Sequence, residues 1–311
     1  MDNRAEVRDF LVGRRARISP EQAGLATFGE TRRVPGLRRG EVAHLAGVSV
    51  EYYTRLERGN LAGVSESVLD SLARALHLDE AERAYLFDLA RTATGPARPA
   101  RGSQHARVRP SIRRVLDAIT GAPAYVRNAR MDILAANDLC FALYADILTP
   151  RTLPVNFARF LFLDPRATDF FIDWPTIADA AAAGLRGEAG RSPLDRQLSD
   201  LIGELATRSD EFRVRWARHN VRLHRTAVKR LRHPVIGDIE LTGDAMELPA
   251  DALTLITYTA SQATAQQQLD FLASWTSDRQ HPRAGGPTPV ATILPASKTR
   301  PSRRTDGDGP A

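Results

Sequence analysis

Arg215, Arg218, His219, Arg222 and Arg225 crowd one short segment of this chain. Such a set can cradle a carboxylate, or it can form a solvated face salt-bridged to Asp173 or Glu211. His219, His224 and His233 invite a metal or haem reading. No carboxylate or cysteine stands at ligand spacing beside them, so histidines clasped by backbone or carboxylate are expected instead. The single cysteine, Cys140, lies in the apolar stretch LCFALYA and reads as a buried, inert thiol rather than a nucleophile. There is no Gly-rich phosphate loop and no HExxH pair. No catalytic residue, metal site or cofactor is expected, and the protein is not expected to be an enzyme. What remains is aromatic. Tyr125, Phe171, Trp174 and Trp216 could line an apolar pocket, with His219 or Arg225 meeting a ligand's head group, or they could simply fill a core.

A different chemistry is spelled out in RRGEVAHLAGVSVEYYTRLERG, residues 38–59. One helix is expected from Arg39 to Ala46 and a second from Ser49 to Arg58. Ser49 caps the second through its hydroxyl, and Val48 with Tyr53 forms a hydrophobic staple. Gly47 falls where the first helix must stop and turn, a position that needs positive φ. Ala43 is small where the helices cross. Two helices crossing steeply over a short turn form a helix-turn-helix, which pushes its second helix into the major groove of DNA. Ser49, Val50, Glu51, Thr54 and Arg55 then face base edges, and Arg55 reads equally as a bidentate guanine contact or a phosphate contact. Arg38, Arg39 and Tyr52 are placed to grip phosphate.

The elements that must carry these residues follow from periodicity. Val7, Phe10 and Leu11 make one helical stripe, and Leu69, Leu72, Ala73 and Leu76 another. Asp79 with Glu82 is a capping-box start for a helix through Leu86 and Leu89. Residues 91–110, RTATGPARPARGSQHARVRP, read as a basic linker. Ser111 is expected to cap a helix that turns Ile112, Val115, Leu116 and Ile119 inward. PAYVRNARMDILAAN reads as two short strands around Arg127–Arg130. Helices are expected from about 138 to 218, strands in RTAVKRLRHPVIGDIELTG and LTLITYTA, and a closing helix from Gln267 to Trp275. The tail beyond is rich in Pro and Gly and reads as disordered. The division expected is 1–91 for DNA binding (core 34–81), 92–109 linker, 110–277 sensor and 278–311 tail.

Composition sets the frame. The 311 residues suffice for two domains, and 43% hydrophobic residues allow ordinary cores. A net charge of +6 is compatible with nucleic acid without requiring it. One cysteine excludes an intrachain disulfide and a four-cysteine zinc site. Neither a signal-peptide core nor an apolar run of membrane-spanning length occurs, so a cytoplasmic protein with no membrane partner is expected.

The helix-turn-helix stretch resembles Xre-type regulators over roughly residues 5–90. Together with PAYVRNARMDILAAN, NFARFLFLDPRATDFFIDW, RSDEFRVRWARHNVR and KRLRHPVIGDIEL, the chain resembles the MmyB-like regulators up to about residue 275. Gly40 departs from that pattern, standing where the family usually has a helix-favouring glutamate. The resemblance implies an all-α five-helix DNA-binding domain followed by an α+β PAS-like domain able to hold a fatty acid. One such DNA-binding domain covers too few bases for specificity, so a homodimer on a pseudo-palindromic double-stranded operator is expected. Two alternatives stay open: a constitutive DNA-binding protein whose second domain only dimerises, and an enzyme or haem sensor.

Overall fold

The computed structural model describes residues 3–25, 32, 34–95, 108–145, 147–148, 152–221 and 226–280. Five helices open the chain: α1 (Asn3–Arg17), α2 (Arg39–Leu45), α3 (Val50–Glu57), α4 (Glu66–Ala75) and α5 (Glu80–Thr94). Their apolar stripes close on one another as the periodicity requires, burying Val7, Phe10, Leu56, Leu72 and Leu86 completely or nearly so. Full burial of each such side chain contributes about 1.5–3 kcal/mol. The rings of Phe10 and Tyr85 meet edge-on at 5.2 Å between centroids and tie α1 to α5. The start of α5 is the reciprocal cap foreseen in the sequence: Glu82 N donates to Asp79 Oδ1 at 2.9 Å and Asp79 N to Glu82 Oε2 at 3.2 Å.

The second unit is a six-stranded antiparallel sheet with helices on both faces. Its strands are β1 (Ala124–Asn128), β2 (Asp132–Ala136), β3 (Val155–Asn156), β4 (Thr226–His233), β5 (Gly237–Leu248) and β6 (Leu253–Thr259), in the order β3-β2-β1-β6-β5-β4. Side chains alternate between faces along the strands, except that a register shift against β1 puts Ile133 and Ala135 of β2 on opposite faces. Ala124, Val126, Ala135, Leu253 and Leu255 therefore share one face, covered by Ile112 and Leu116 of α6 (Pro110–Ala118). This helix departs from expectation. Pro110 occupies its first turn, so Ser111 lies inside it, and Val115 points to solvent.

The opposite face turns Tyr125, Ile133, Leu231, Leu241, Ile256 and Tyr258 toward the main core. Helices α7 (Asp138–Leu143), α8 (Phe157–Leu163), α9 (Arg166–Phe170), α10 (Trp174–Arg191), α11 (Arg196–Arg208), α12 (Asp210–Ala217) and α13 (Ala263–Gln280) supply the rest. Gly243 lets the Tyr258 ring lie flat on the sheet, since a Cβ there would come within 2.7 Å of it. Helix α10 also lies along α5, joining the two units. Most of the expected linker and the tail from residue 281 fall outside the described residues.

Candidate DNA-reading helix and effector cavity

The turn between α2 and α3 has the local geometry that its residues demand. Gly47 sits at φ +67°, and the helix end is closed by Val48 N donating to Ala43 O at 2.9 Å. Ser49 Oγ accepts from Tyr52 N at 3.1 Å and starts α3. Tyr53 and Leu56 turn inward, fully buried. The other side of α3 faces out: Val50, Glu51, Thr54 and Arg55, with Arg58 and Asn60, line a shallow surface hollow. Tyr52 lies beside them and carries the Arg55 guanidinium over its ring at 4.8 Å. That cation–π contact limits the rotamers open to the arginine.

Arg38 and Arg39 sit at the exposed entry of α2, and Arg38 N donates to Glu41 Oε2 at 2.6 Å. Gly40 occupies the first turn of that helix. Arg39 is not free, however. Its Nε pairs with Glu57, a carboxylate only 2% exposed, which also binds Arg15 Nε at 2.7 Å. This buried acid clamps α1, α2 and α3 together, and Glu57 in turn raises the Arg39 pKa. Nothing in the local pattern separates Glu57 from the exposed acids of such helices. Arg32, which reads equally as solvated loop or DNA contact, holds Glu41 through two bonds of 2.8 and 2.9 Å. The Arg33 reading lies outside the described residues.

In the second unit a cavity of about 630 Å³ opens between α10, the inner face of the sheet and α5. Its existence follows from side-chain size. Along α10, positions 180, 181, 184 and 187 are Ala, Ala, Gly and Gly, so the helix presents little but backbone to the sheet. Tyr125, Met131 and Phe157 add apolar surface on the sheet side, and Ala81, Ala84, Tyr85 and Asp88 of α5 close one end. The volume lies within the 300–1,000 Å³ usual for small-ligand pockets.

Of the residues proposed from sequence as ligand contacts, the cavity takes in Tyr125 and leaves out four others. Phe171 is wholly buried against Phe157, Phe160 and Phe170, because the α9 turn drives it into the aromatic core. Trp174 packs on Phe162 and beneath Arg215, with Nε1 donating to Leu161 O at 2.9 Å. Trp216 stacks on Phe212. His219 stands at the seam of the two units, where burial pulls its pKa down to about 4. Arg225 lies outside the described residues. Of the arginine run, Arg215 is spent on Asp179 at 2.9 Å and on Glu211.

Several charged residues line the cavity, among them Arg127, Asp244 and one that sequence reading passed over, the buried Lys229. Strand β4 alternates, and Lys229 shares parity with the buried Leu231 and His233, so it points inward and is 4% exposed. Its Nζ donates to Tyr258 Oη at 2.9 Å, and Tyr144 donates to the same oxygen at 3.1 Å. Burial draws the Lys229 pKa down to about 7. Cys140 is wholly buried nearby, and burial pushes its thiol up, away from thiolate chemistry.

The seam itself is polar and dry. Arg186 of α10, 1% exposed, pairs with Glu6 of α1, donates to Trp216 O at 2.5 Å and lies 3.9 Å over the Trp216 ring. Tyr85 Oη donates to Glu6 Oε1 at 2.8 Å. Arg14 joins Glu82 at 3.1 Å to His219 O at 2.7 Å. Gly190 is needed here, since a Cβ would come within 2.3 Å of the Tyr85 ring.

A helix-turn-helix packed through α5 against a cavity-bearing α+β domain is the layout of a DNA-binding protein with a sensor. Residues 11–86 match a helix-turn-helix domain family, and residues 108–272 match the MmyB-like transcription regulator ligand binding domain. The chain belongs to the MmyB-like transcription regulators, and its second unit has their α+β, PAS-like fold. No curated protein sequence matches it. Among the described residues no helix is long and apolar enough to cross a membrane.

Proposed function

We propose that this regulator binds a specific operator with an affinity set by a small apolar effector, such as a fatty acid, held in the cavity between its two domains. One observation carries the reading: α5 is both the last helix of the DNA-binding domain and a wall of the cavity. An effector seated against Ala84 and Tyr85 selects among placements of α5. Through the core shared with α1 and α4, it thereby selects among placements of the recognition helix α3. Operator affinity then changes by the difference in effector binding free energy between the two placements.

In this reading Ser49, Val50, Glu51, Thr54 and Arg55 face base edges, while Arg38, Arg39 and Tyr52 hold phosphate. One recognition helix reads few base pairs, so the protein acts as a cytoplasmic homodimer on two half-sites. The test starts from an operator selected out of random double-stranded DNA by the full chain. Its Kd is measured by fluorescence anisotropy with and without tetradecanoic acid. A shift of about fivefold or more is expected, the lower end of ordinary coupling. Ala180→Phe, which puts a ring into the cavity, should abolish the shift while leaving DNA binding intact. An operator Kd unmoved by saturating lipid would end the proposal.

A further inference from the structure

Lys229 is an amine set among largely apolar neighbours, held by one hydrogen bond to Tyr258 and by the rings of Phe157 and Tyr258. Its alternation partners on β4 are Leu231 and His233, it faces Leu241 across the ladder, and the ring of Phe157 lies 5.3 Å from its Nζ. Leucine or valine would satisfy all of these neighbours. Lysine instead brings three donors into a buried site, and one accepting oxygen, that of Tyr258, is on hand. Its hydrogen-bond partner is Tyr258 on β6, to which Tyr144 at the end of α7 also donates, and Arg127 of β1 and Cys140 of α7 act on it electrostatically. Among the described residues no carboxylate pairs with it. The acids of the cavity are placed elsewhere: Asp88 is held by Arg91 at 2.9 Å, Asp244 accepts from Thr226 at 2.6 Å, and Glu247 is exposed. A buried cation without an anion is costly, and the missing anion is one that a ligand can bring.

We infer that Lys229, with Arg127 beside it, is the anchor for an anionic head group, so that the cavity selects a carboxylic acid over the neutral lipid of equal length. The inference rests on the proposed lipid-holding cavity and adds the residue that holds the occupant's head group. On binding, the carboxylate takes the free donors of Lys229, and the acyl chain runs along the Ala and Gly face of α10 toward Tyr85. Burial of Lys229, Tyr144, Tyr258 and Cys140 favours the neutral form of each in the empty protein. A proton taken up when the carboxylate arrives therefore goes to the lysine.

The experiment uses the delipidated full chain in isothermal titration with decanoic acid, tetradecanoic acid and the two matching primary alcohols. Wild type should prefer each acid by roughly tenfold or more, the worth of one charge-assisted hydrogen bond. Lys229→Met should lose that preference and still bind the alcohols, which also reports that it folds. A second measurement needs no variant. Titration of wild type near pH 8 in buffers of different ionisation enthalpy should show proton uptake with the acids and none with the alcohols. Equal binding of acid and alcohol by wild type would overturn the anchor and leave the lipid cavity standing. So would an acid preference that survives Lys229→Met, or acid binding without proton uptake. If neither acid nor alcohol binds, both readings fall.

Discussion

Glu6→Ala should release the DNA-binding domain from the sensor. Glu6 is the carboxylate paired with Arg186, whose side chain is 1% exposed, and it also accepts from Tyr85 at 2.8 Å. The substitution leaves a guanidinium in a dry site with only the Trp216 carbonyl and ring to face it. Burial already pulls the Arg186 pKa down to about 9, yet the group stays protonated at neutral pH and cannot escape by neutralising. Breaking a buried ion pair from one side costs about 3–5 kcal/mol. The lost acceptor of Tyr85 adds roughly 1 kcal/mol. That sum is an upper limit, because the domains can part and let water reach Arg186. The seam then opens at whatever the remaining α5–α10 packing is worth. Urea unfolding followed by tryptophan fluorescence reads the sensor side, since Trp174, Trp216 and Trp275 all lie there. Amide exchange in α5 reads the seam. Arg186→Met alone should cost less than Glu6→Ala, and the double variant should lose less than the sum of the two, with a coupling of about 2 kcal/mol. A Glu6→Ala protein within about 0.5 kcal/mol of wild type would refute the latch, given the usual scatter for surface changes. So would a double variant that loses the sum of both.

Arg55→Ala should cost roughly 1–3 kcal/mol on a selected operator and relax one base position in a binding-site selection. A uniform loss across sequences with a shallower salt slope would put Arg55 on phosphate instead. Gly47→Val should lower stability by about 1–3 kcal/mol through its left-handed backbone alone, because nothing lies within 4 Å of the added Cβ. Chemical denaturation measures this, and a wild-type midpoint would refute the turn assignment. Lys229→Met should stabilise the lipid-free protein at neutral pH. The folded-state pKa of Lys229 is about 7 against an ordinary 10.5, so between those values the unfolded chain holds the extra proton and wild-type stability rises with pH. The advantage of Lys229→Met should therefore shrink as pH climbs from about 7 to 10.5 and stay constant below 7. A pH-independent gap between the two would refute the buried-amine assignment.

The DNA-reading half was legible because its determinants are local. Gly47, Ser49, and Asp79 with Glu82 each act within one turn of chain, and each does in the structure what its spacing foretold. The strands around Arg127–Arg130 and the helix-to-strand order of the sensor were equally local in origin. Side-chain choice inside the sensor was not. Aromatic content marked Phe171, Trp174 and Trp216 as lining, yet whether a ring fills a core or borders a space depends on how the helices that carry these rings pack together. The space arises where the small side of α10 faces the inner side of β4 and β5, with α5 from the other domain at its end. Lys229 shows the same division. Its parity with Leu231 and His233 stood in the sequence, but only the closing of β4 onto β5 and the helix layer decided that this parity points inward. By itself the sequence determined the helix-turn-helix, its capped reading helix and the order of elements, all set by short-range backbone preferences. The cavity, the Arg186–Glu6 seam and the buried Lys229 were decided by tertiary packing, because burial and ion pairing join residues that only the folded chain brings together.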